Sequence, residues 1–254
     1  MTPPLDSSAG AKEARARPFD AAAFAAELAD RFRTNDALAL LRAAITEIFP
    51  GRVAAVSSFG AESAALLSLV AEIDRAVPVI FLDTGKHFPE TLAYRDELAR
   101  CLELTDIRIV RPEPAALARH DRAGRLWAST PDRCCSIRKV LPLERALTPF
   151  RAWISGLKRY HAGARTTVER VESDGSRVKI NPLADWPESS VKALSETRGL
   201  PAHPLTIQGY RSIGCAPCTI PAGTDDTPRT GRWAGRAKTE CGIHFPYTMR
   251  PDWV

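Results

Sequence analysis

The chain lacks the features that would place it in or across a membrane. Its 254 residues contain no run of about 18 consecutive apolar residues, the length that crosses a bilayer. The first 18 residues contain prolines, an early Asp6 and no apolar centre, so they do not resemble a secretory signal. We therefore predict no transmembrane helix, no membrane partner and a cytoplasmic location.

Aromatic residues are also scarce, and they are scattered. They make up 7% of the chain, and Trp153, Trp186 and Trp233 do not interleave with its basic residues. A zinc-dependent nucleic-acid-binding module would combine a basic patch with aromatics that stack on bases. We therefore predict no nucleic-acid partner. The net charge of +5 and its local basic clusters suit a small polyanionic ligand equally well.

What the chain does contain is enough apolar material for one sizeable core, with 44% hydrophobic and 26% charged residues. Residues 1–18 are poor in hydrophobic residues and are predicted to form a disordered lead-in. Residues 19–225 are predicted to form one α/β domain. Because the stretch from Gly214 onward is rich in Gly, Pro, Thr and charge, residues 226–254 are predicted to form a flexible C-terminal tail.

Apolar strands alternate with helices in the predicted domain. Strands are expected in RVAAV, VPVIFL, DIRIV and RAWIS, with a helix over residues 88–101 and a hairpin around Asp174-Gly175. Two N-terminal helices begin near Asp20 and near Asn35 or Asp36, and Pro142 should bend a helix in CSIRKVLPLERAL. This alternation predicts an α/β fold with a doubly wound, mainly parallel sheet.

Small and polar residues follow the predicted strands at the edge of the sheet where ligands bind. SSFGAES after the first strand offers backbone N–H groups and a helix start to an anion, although it is neither a Walker A loop nor a dinucleotide loop. In LDTG, Asp83 and Thr84 either contact the ribose or adenine of a nucleotide or form an ordinary turn that caps a helix. In WISGLKR, Gly156 admits a ligand close to the backbone, and the basic residues after it either hold a phosphate or form a solvated turn.

Four of the six cysteines fall into two pairs, Cys134-Cys135 and Cys215-x-x-Cys218. In a reducing compartment such pairs bind metal more often than they form disulfides, so a metal centre is favoured over buried thiols, a vicinal disulfide or a redox dithiol. Spacing alone leaves both zinc and an iron–sulfur cluster open. Cys101 is interpreted as a packing residue. Cys241 is then a candidate nucleophile on a mobile tail, or else a zinc ligand.

In this order, SSFGAES, LDTG, WISGLKR, CC-x-x-RK, GC-x-PCT-x-P, R-x-GRW and ECGIH resemble the assimilatory sulfonucleotide reductases. The resemblance spans roughly Val53 to His244. It implies an adenine nucleotide α-hydrolase-like fold related to ATP pyrophosphatases. It also implies reduction of adenosine 5′-phosphosulfate (APS) to sulfite and AMP in sulfate assimilation, with thioredoxin or a similar dithiol as reductant. A homo-oligomer is left open.

The resemblance also implies roles for individual residues. Cys134, Cys135, Cys215 and Cys218 would hold one 4Fe–4S cluster per chain, and Cys241 would attack the sulfur of APS to form an S-sulfocysteine. The substrate-binding residues would be Ser58, Gly60, Leu82, Lys139, Gly156, Arg159, Arg229 and Arg232. Where many relatives continue WISG with an arginine pair and then Gln-Ser, this chain reads KRYHAGART, so the basic contact there falls to Arg159 or to Arg165.

Besides the less favoured zinc-dependent nucleic-acid-binding module, two other functions remain as alternatives. The first is reduction of the 3′-phosphorylated substrate (PAPS), which relatives lacking the cysteine pairs generally use. The second is tRNA thiolation or another ATP-pyrophosphatase reaction. Those enzymes normally carry a Ser-Gly-Gly-x-Asp-Ser loop, and SSFGAES lacks its tandem glycines and its aspartate.

Overall fold

Six strands form one sheet in the computed structural model, which describes residues 19–33, 36–223 and 227–244. The strands are β1 (Val53–Val56), β2 (Val79–Leu82), β3 (Ile107–Val110), β4 (Ala152–Ser155), β5 (Val171–Asp174) and β6 (Arg177–Ile180). Their order in the sheet is β3-β2-β1-β4-β6-β5. All neighbouring pairs are parallel except β5 and β6, which form the predicted hairpin.

Nine α-helices connect and cover these strands within the described residues. They are α1 (Ala21–Arg31), α2 (Ala37–Arg42), α3 (Ser63–Ile73), α4 (Pro89–Cys101), α5 (Pro114–His120), α6 (Leu126–Ser129), α7 (Pro131–Cys135), α8 (Leu141–Leu147) and α9 (Glu188–Thr197). The expected N-caps are present: Asp20 accepts hydrogen bonds from two amides of α1, and Asp36 accepts one from Ala39 N at 2.9 Å. No helix in these ranges is both long and apolar enough to span a bilayer.

The sheet order creates a topological switch point at β1. The chain runs outward from β1 through β2 to β3, and then returns to place β4 on the opposite side of β1. The loops that follow β1 and β4 therefore lead away from each other and leave a crevice at the carboxyl ends of the strands. Ligands bind at this position in doubly wound sheets. The predicted doubly wound, mainly parallel fold is confirmed, and its binding crevice has a defined location.

Both faces of the central strands are apolar because the sheet is covered on both sides. Val53 and Ala55 of β1 pack into a large core on one face, whereas Ala54 and Val56 pack into a smaller core on the other. The smaller core also contains Trp233, Cys241 and Ile243 from the predicted C-terminal tail. The described part of that tail thus lies against the sheet. Residues 1–18 lie outside the described residues, and the domain boundaries stay a prediction.

The segment around the first cysteine pair is helical from residue 131 to residue 147. Between α7 and α8 the chain forms a π-helical turn, Ser136–Val140, and Pro142 lies in the first turn of α8. Proline has no amide hydrogen for an intrahelical bond, so a widened turn before it fits the bend that was expected there. Within this turn, Arg138 is buried and donates to Asp121 Oδ2 at 2.6 Å and to the carbonyl of Thr84 at 2.7 Å.

This buried ion pair should make a large contribution to stability. Asp121→Asn would leave the Arg138 guanidinium buried without a counter-charge, which we expect to lower the free energy of unfolding by about 3–5 kcal/mol. Urea unfolding of the purified protein measures the change. The exposed pair Asp106–Arg108 provides the control, since Asp106→Asn should cost about 1 kcal/mol or less. Equal effects at the two sites would contradict the assignment.

The same pair predicts a dependence of stability on pH. Burial alone would raise the pKa of Asp121, but the hydrogen bonds from Arg138 and from the Leu126 amide lower it below its usual value. A carboxyl group with a lowered pKa stabilises the fold above its unfolded pKa, and this contribution is lost as the pH falls through the folded value. Acid should therefore destabilise the wild-type protein more steeply than the Asp121→Asn variant.

Candidate active site

A cavity opens at the switch point, between the loop after β1 and the loop after β4. We call it the switch-point cavity. The loop over residues 57–62 is held by its own hydrogen bonds: Ser57 Oγ accepts from Phe59 N at 3.1 Å, and Gly60 N donates to Ser63 Oγ at 2.8 Å. A Cβ on Gly60 would lie 3.2 Å from the carbonyl oxygen of Ile213, so glycine allows this close approach. The loop and the start of α3 therefore form one wall, as expected for an anion site.

Two carboxylates neutralise part of the basic lining of the cavity. Glu62, at the start of α3, accepts hydrogen bonds from Lys158 Nζ at 2.7 Å and from His161 Nε2 at 2.9 Å. Burial alone would raise the pKa of Glu62, but His161 and Lys158 lower it far below the usual range. Glu62 is therefore ionised at neutral pH, and the buried Lys158 does not present a free charge to a ligand.

The second carboxylate belongs to Glu240, which is 4% exposed and directly precedes Cys241. Arg165 binds it with two nitrogens, at 2.5 Å to Oε1 and 3.2 Å to Oε2, and Arg229 lies 3.2 Å from Oε2. Burial, followed by the charge of Arg165, lowers the pKa of Arg229 to about 10, and Glu240 opposes this shift. Two arginines thus share one buried carboxylate on the wall of the cavity.

Lys139 and Arg232 provide the cationic charge that has no carboxylate partner among the described residues. Arg232 lies over the Trp233 ring, 4.6 Å from its centroid, and its Nε is buried without a hydrogen-bond partner. Its guanidinium passes directly over Gly214, where a Cβ would lie 2.2 Å from Arg232 Nη2. Both cations line the cavity, so they are available to an anionic ligand.

The two cysteine pairs meet beside Lys139. Cys134 and Cys135 are buried at the end of α7. The backbone of Cys215 pairs with that of His87 in an isolated antiparallel β-bridge, and its sulfur lies 3.3 Å from Thr84 Oγ1. Burial raises the pKa of Cys134 to about 11, and the charges of Cys215 and Cys218 contribute to that rise. Burial also raises the pKa of Cys135 to about 12, and Cys241 adds to it. The five thiols are therefore close enough to interact electrostatically.

Three of the same thiols also shift the pKa of Lys139. Partial burial would lower the pKa of Lys139, but the negative charges available at Cys215, Cys241 and Cys135 raise it above its usual value. Among the described residues, no three His, Cys, Asp or Glu side chains are grouped as ligands of a single metal ion. All six cysteines in these residues are free thiols. The site thus consists of five neighbouring thiols at the edge of a basic cavity, and four of them, Cys135, Cys215, Cys218 and Cys241, interact with the Lys139 ammonium group.

Comparison with known proteins agrees with this architecture. Residues 52–221, more than half of the chain, match the family described as the phosphoadenosine phosphosulfate reductase domain. The chain belongs to this family. It is 52% identical over 208 residues to the adenosine 5′-phosphosulfate reductase of Mesorhizobium japonicum, a match that covers 82% of each chain. The enzyme of the same name from Chelativorans sp. is 45% identical, with 92% of this chain and 96% of the relative covered.

Other members of the family carry the second substrate name. The phosphoadenosine 5′-phosphosulfate reductase of Gloeobacter violaceus is 42% identical, and the match covers 77% of this chain and 83% of the relative. Among solved structures, the phosphoadenylyl-sulfate reductase of Candida auris aligns with a TM-score of 0.66 at 25% identity, covering 77% of this chain and 96% of the other. The FMN adenylyltransferase of Candida glabrata, at 14% identity and a TM-score of 0.51, shares the fold. The predicted resemblance to sulfonucleotide reductases is confirmed.

The structure of this family member brings most of the predicted site residues together. The switch-point cavity is lined by Ser58, Gly60, Lys139, Gly156, Arg229, Arg232 and Cys241. Leu82 is not among them, because its side chain packs into the smaller core and its carbonyl accepts a hydrogen bond from His87 Nε2 at 3.0 Å. Asp83 pairs with Arg111, and the buried Thr84 contacts Cys215, so neither of these residues lines the cavity.

Arg159 also lies away from the cavity. It donates to the carbonyl of Val168 at 2.7 Å and pairs with Asp185 and Glu169. Lys158 is extended and Arg159 begins a 3₁₀ turn, so their side chains leave the backbone on different sides. Arg165, at the end of the next 3₁₀ turn, lines the cavity instead. The structure therefore favours Arg165 over Arg159 as the basic contact after Gly156.

The sequence predicted no substrate-binding role for Glu62, His161 or Glu240, which the structure of this reductase-family chain places in the cavity. A partial signal was available for two of them. Glu62 lies within SSFGAES, and Glu240 is the residue before the candidate nucleophile. Their cationic partners lie 96 and 75 residues away along the chain, so the ion pairs could not be assigned from spacing.

Proposed function

We propose that the protein is an adenylyl-sulfate reductase, which reduces APS to sulfite and AMP and takes its electrons from thioredoxin or a similar dithiol. The observation that carries this proposal is the position of Cys241. Its thiol lies at the junction between an anion-binding cavity and the two cysteine pairs, beside a lysine without a carboxylate partner among the described residues. Relatives named for this activity, at 45–52% identity over most of the chain, support the same conclusion.

The cavity would bind the nucleoside and the phosphosulfate group of the substrate with two different sets of residues. The loop over residues 57–62 and Gly156 would hold the nucleoside, because small residues allow a ligand to approach the backbone closely there. In addition to Arg165 and Arg229, the phosphosulfate group would contact Lys139 and Arg232. They line the cavity without a competing carboxylate, and a guanidinium and an ammonium suit phosphate and sulfate oxygens.

Chemistry would then proceed at Cys241. Its thiolate attacks the sulfur of APS, a new S–S bond forms, and the bond between sulfur and the phosphate oxygen breaks, so that AMP leaves with the bonding electron pair. Nearby cations stabilise the negative charge that develops on the leaving phosphate. A thiolate of the reductant next attacks Cys241 Sγ and releases sulfite. Its second thiol completes the disulfide, and Cys241 becomes free again.

The four remaining cysteines of the site fit a 4Fe–4S cluster. Cys134, Cys135, Cys215 and Cys218 would be its ligands, and the cluster would supply structural rigidity and negative charge near Lys139. Four thiols are the donor set that such a cluster needs. A zinc ion bound by the same cysteines is the alternative centre, and metal analysis of the purified protein distinguishes the two. The cluster, the thioredoxin partner, the homo-oligomer and the cytoplasmic location all stay predictions.

The test is a direct assay of oxygen-free protein. Sulfite release from APS and from PAPS, each with reduced thioredoxin, should show a strong preference for APS. PAPS reductase is the alternative, because the Gloeobacter violaceus relative carries that name. A preference for PAPS would therefore overturn the choice of substrate, and no sulfite from either compound would reject the function.

The choice between Arg165 and Arg159 gives a second test. We expect Arg165→Gln to raise the KM for APS by about tenfold, because a cavity-lining guanidinium makes charge-assisted hydrogen bonds to bound anions. Arg159→Gln provides the comparison and should have a much smaller effect, since Arg159 points toward Asp185. Initial rates of sulfite formation at several APS concentrations would measure both. A larger change at Arg159 would contradict the structural assignment.

Gly214 gives a third test, through the arginine that passes over it. Gly214→Ala would force the flexible end of Arg232 away, so the protein should fold normally but bind APS about tenfold more weakly. Combining it with Arg232→Ala provides the control. If Gly214 acts only by making room for Arg232, adding Gly214→Ala to Arg232→Ala should cost nothing further. Additive losses would show that Gly214 acts in another way.

A further inference from the structure

Glu240 is bound in the way that an anionic ligand would be bound. Its two oxygens are shared between Arg165, which contacts both, and Arg229, at distances of 2.5 to 3.2 Å. The carboxylate is buried, and burial alone would raise the pKa of Glu240, but the hydrogen bond and charge of Arg165 lower it. A forked contact between guanidinium groups and an oxyanion is also the contact that phosphate and sulfate groups prefer.

The two arginines that hold Glu240 belong to the cavity itself. Arg165 and Arg229 both line it, together with Glu240 and Cys241. A ligand with several negative charges would gain from all the cations around it, but Glu240 already takes up two of them. Like charges placed side by side in a buried site repel strongly. A bound polyanion and the Glu240 carboxylate therefore compete for Arg165 and Arg229.

Glu240 also differs from the other carboxylate in the cavity. Glu62 belongs to the structured wall, at the start of α3, and is held by Lys158 and His161. Glu240 instead lies in an irregular segment, residues 234–241, directly before Cys241. Side-chain contacts tie this segment to the rest of the molecule. The partly buried Arg229 donates to the carbonyl of Thr239 at 2.8 Å, and the exposed Arg236 donates to the carbonyl of Trp127 at 2.8 Å. Lys238 also pairs with Asp132.

We propose that Glu240 is an internal anion that occupies Arg165 and Arg229 until the phosphosulfate group of the substrate replaces it. This inference rests on the proposed function and adds a positioning residue to it. Adjacent Cα atoms are about 3.8 Å apart, so a backbone shift of Glu240 that accompanies displacement of its carboxylate also moves Cys241. Binding of the anion is thereby coupled to the placement of the nucleophile.

The decisive measurement is substrate affinity without turnover. In oxygen-free Cys241→Ala protein, calorimetry with APS gives a dissociation constant that is free of chemistry. Adding Glu240→Gln removes the competing charge but keeps the size and an oxygen acceptor, so we expect binding to tighten by about tenfold. Adding Glu240→Asp keeps the charge and should leave the affinity close to that of the parent. A purely structural role for Glu240 predicts weaker binding in both variants, and unchanged or weaker binding in Glu240→Gln would overturn the inference.

A matched variant separates charge competition from simple loosening of the segment. Arg236→Gln breaks the contact with the carbonyl of Trp127 but leaves the charge of the cavity wall unchanged. We expect it to alter the affinity for APS by less than about twofold. A gain as large as that of Glu240→Gln would show that loosening is the cause, and would reject the inference. Failure of the Cys241→Ala parent to bind APS would instead reject the proposed function.

Discussion

Replacing Cys241 with serine is expected to abolish the formation of sulfite from APS. Removal of a covalent nucleophile typically lowers kcat by about a thousandfold or more, because a hydroxyl is a far weaker nucleophile than a thiolate at neutral pH. The iron and acid-labile sulfide content and the brown colour of the protein should remain, since Cys241 is not one of the four proposed ligands. Sulfite assays, together with metal analysis of the same oxygen-free preparation, measure both outcomes.

A sixth cysteine provides the matched control for this experiment. The interpretation of Cys101 as a packing residue is wrong, because its side chain is exposed at the end of α4; it also does not line the switch-point cavity. Cys101→Ser should therefore retain both activity and colour. Turnover that persists in Cys241→Ser would disprove its role as nucleophile. Loss of colour in that variant would show that Cys241 belongs to the metal centre. The proposal that four cysteines bind the cluster while Cys241 acts only as the nucleophile would then be wrong.

Replacing Cys135 with serine is expected to remove the metal centre. Cys135 is buried in the smaller core together with Cys241, and the charge of Cys215 helps to raise its pKa. A ligand at this buried position is therefore not easily replaced by a group from solvent. Iron and sulfide should fall from about four of each per chain to nearly none, because a 4Fe–4S cluster needs four thiolates. Visible absorbance would be lost in parallel, and sulfite formation should fall with it because Lys139 would lose its negative neighbours.

The expected result depends on the type of metal centre. Unchanged iron and sulfide in Cys135→Ser would exclude Cys135 as a ligand. If zinc is the only metal found in the wild-type protein purified without oxygen, the centre is a zinc site and the proposal of a cluster is wrong. Cys101→Ser again provides the comparison, since it removes one thiol from the surface without touching the site. A similar loss of iron in that control would point to general instability instead.

The fold was readable from the sequence because its signals are local. Val53–Val56 and Val79–Leu82 are short apolar runs between helices, and such runs are typical of buried parallel strands. The N-cap at Asp20 and the hairpin at Asp174-Gly175 depend on neighbours two or three residues away. The loop after β1 could be predicted as a binding element for the same reason, since its place after a buried strand is a sequence property.

The predicted site residues that the structure places outside the cavity differ from the prediction in side-chain direction and long-range contact. Arg159 was chosen as a substrate contact, but a 3₁₀ turn directs it toward Asp185 and leaves Arg165 in the cavity. Leu82 was expected at the nucleotide, but its side chain faces the smaller core. The direction of the side chain depends on backbone turns that a single sequence does not reveal.

The sequence by itself determined the order of strands and helices, the loops that border the cavity and the set of thiols, because each is carried by a local pattern or a motif. Only the tertiary structure decided which charges meet. The sheet brings Glu62 to Lys158, and the packed C-terminal segment brings Glu240 to Arg165. The physical reason is that an electrostatic contact depends on distance through space and on burial, and folding alone brings residues 75 or more positions apart within hydrogen-bond distance.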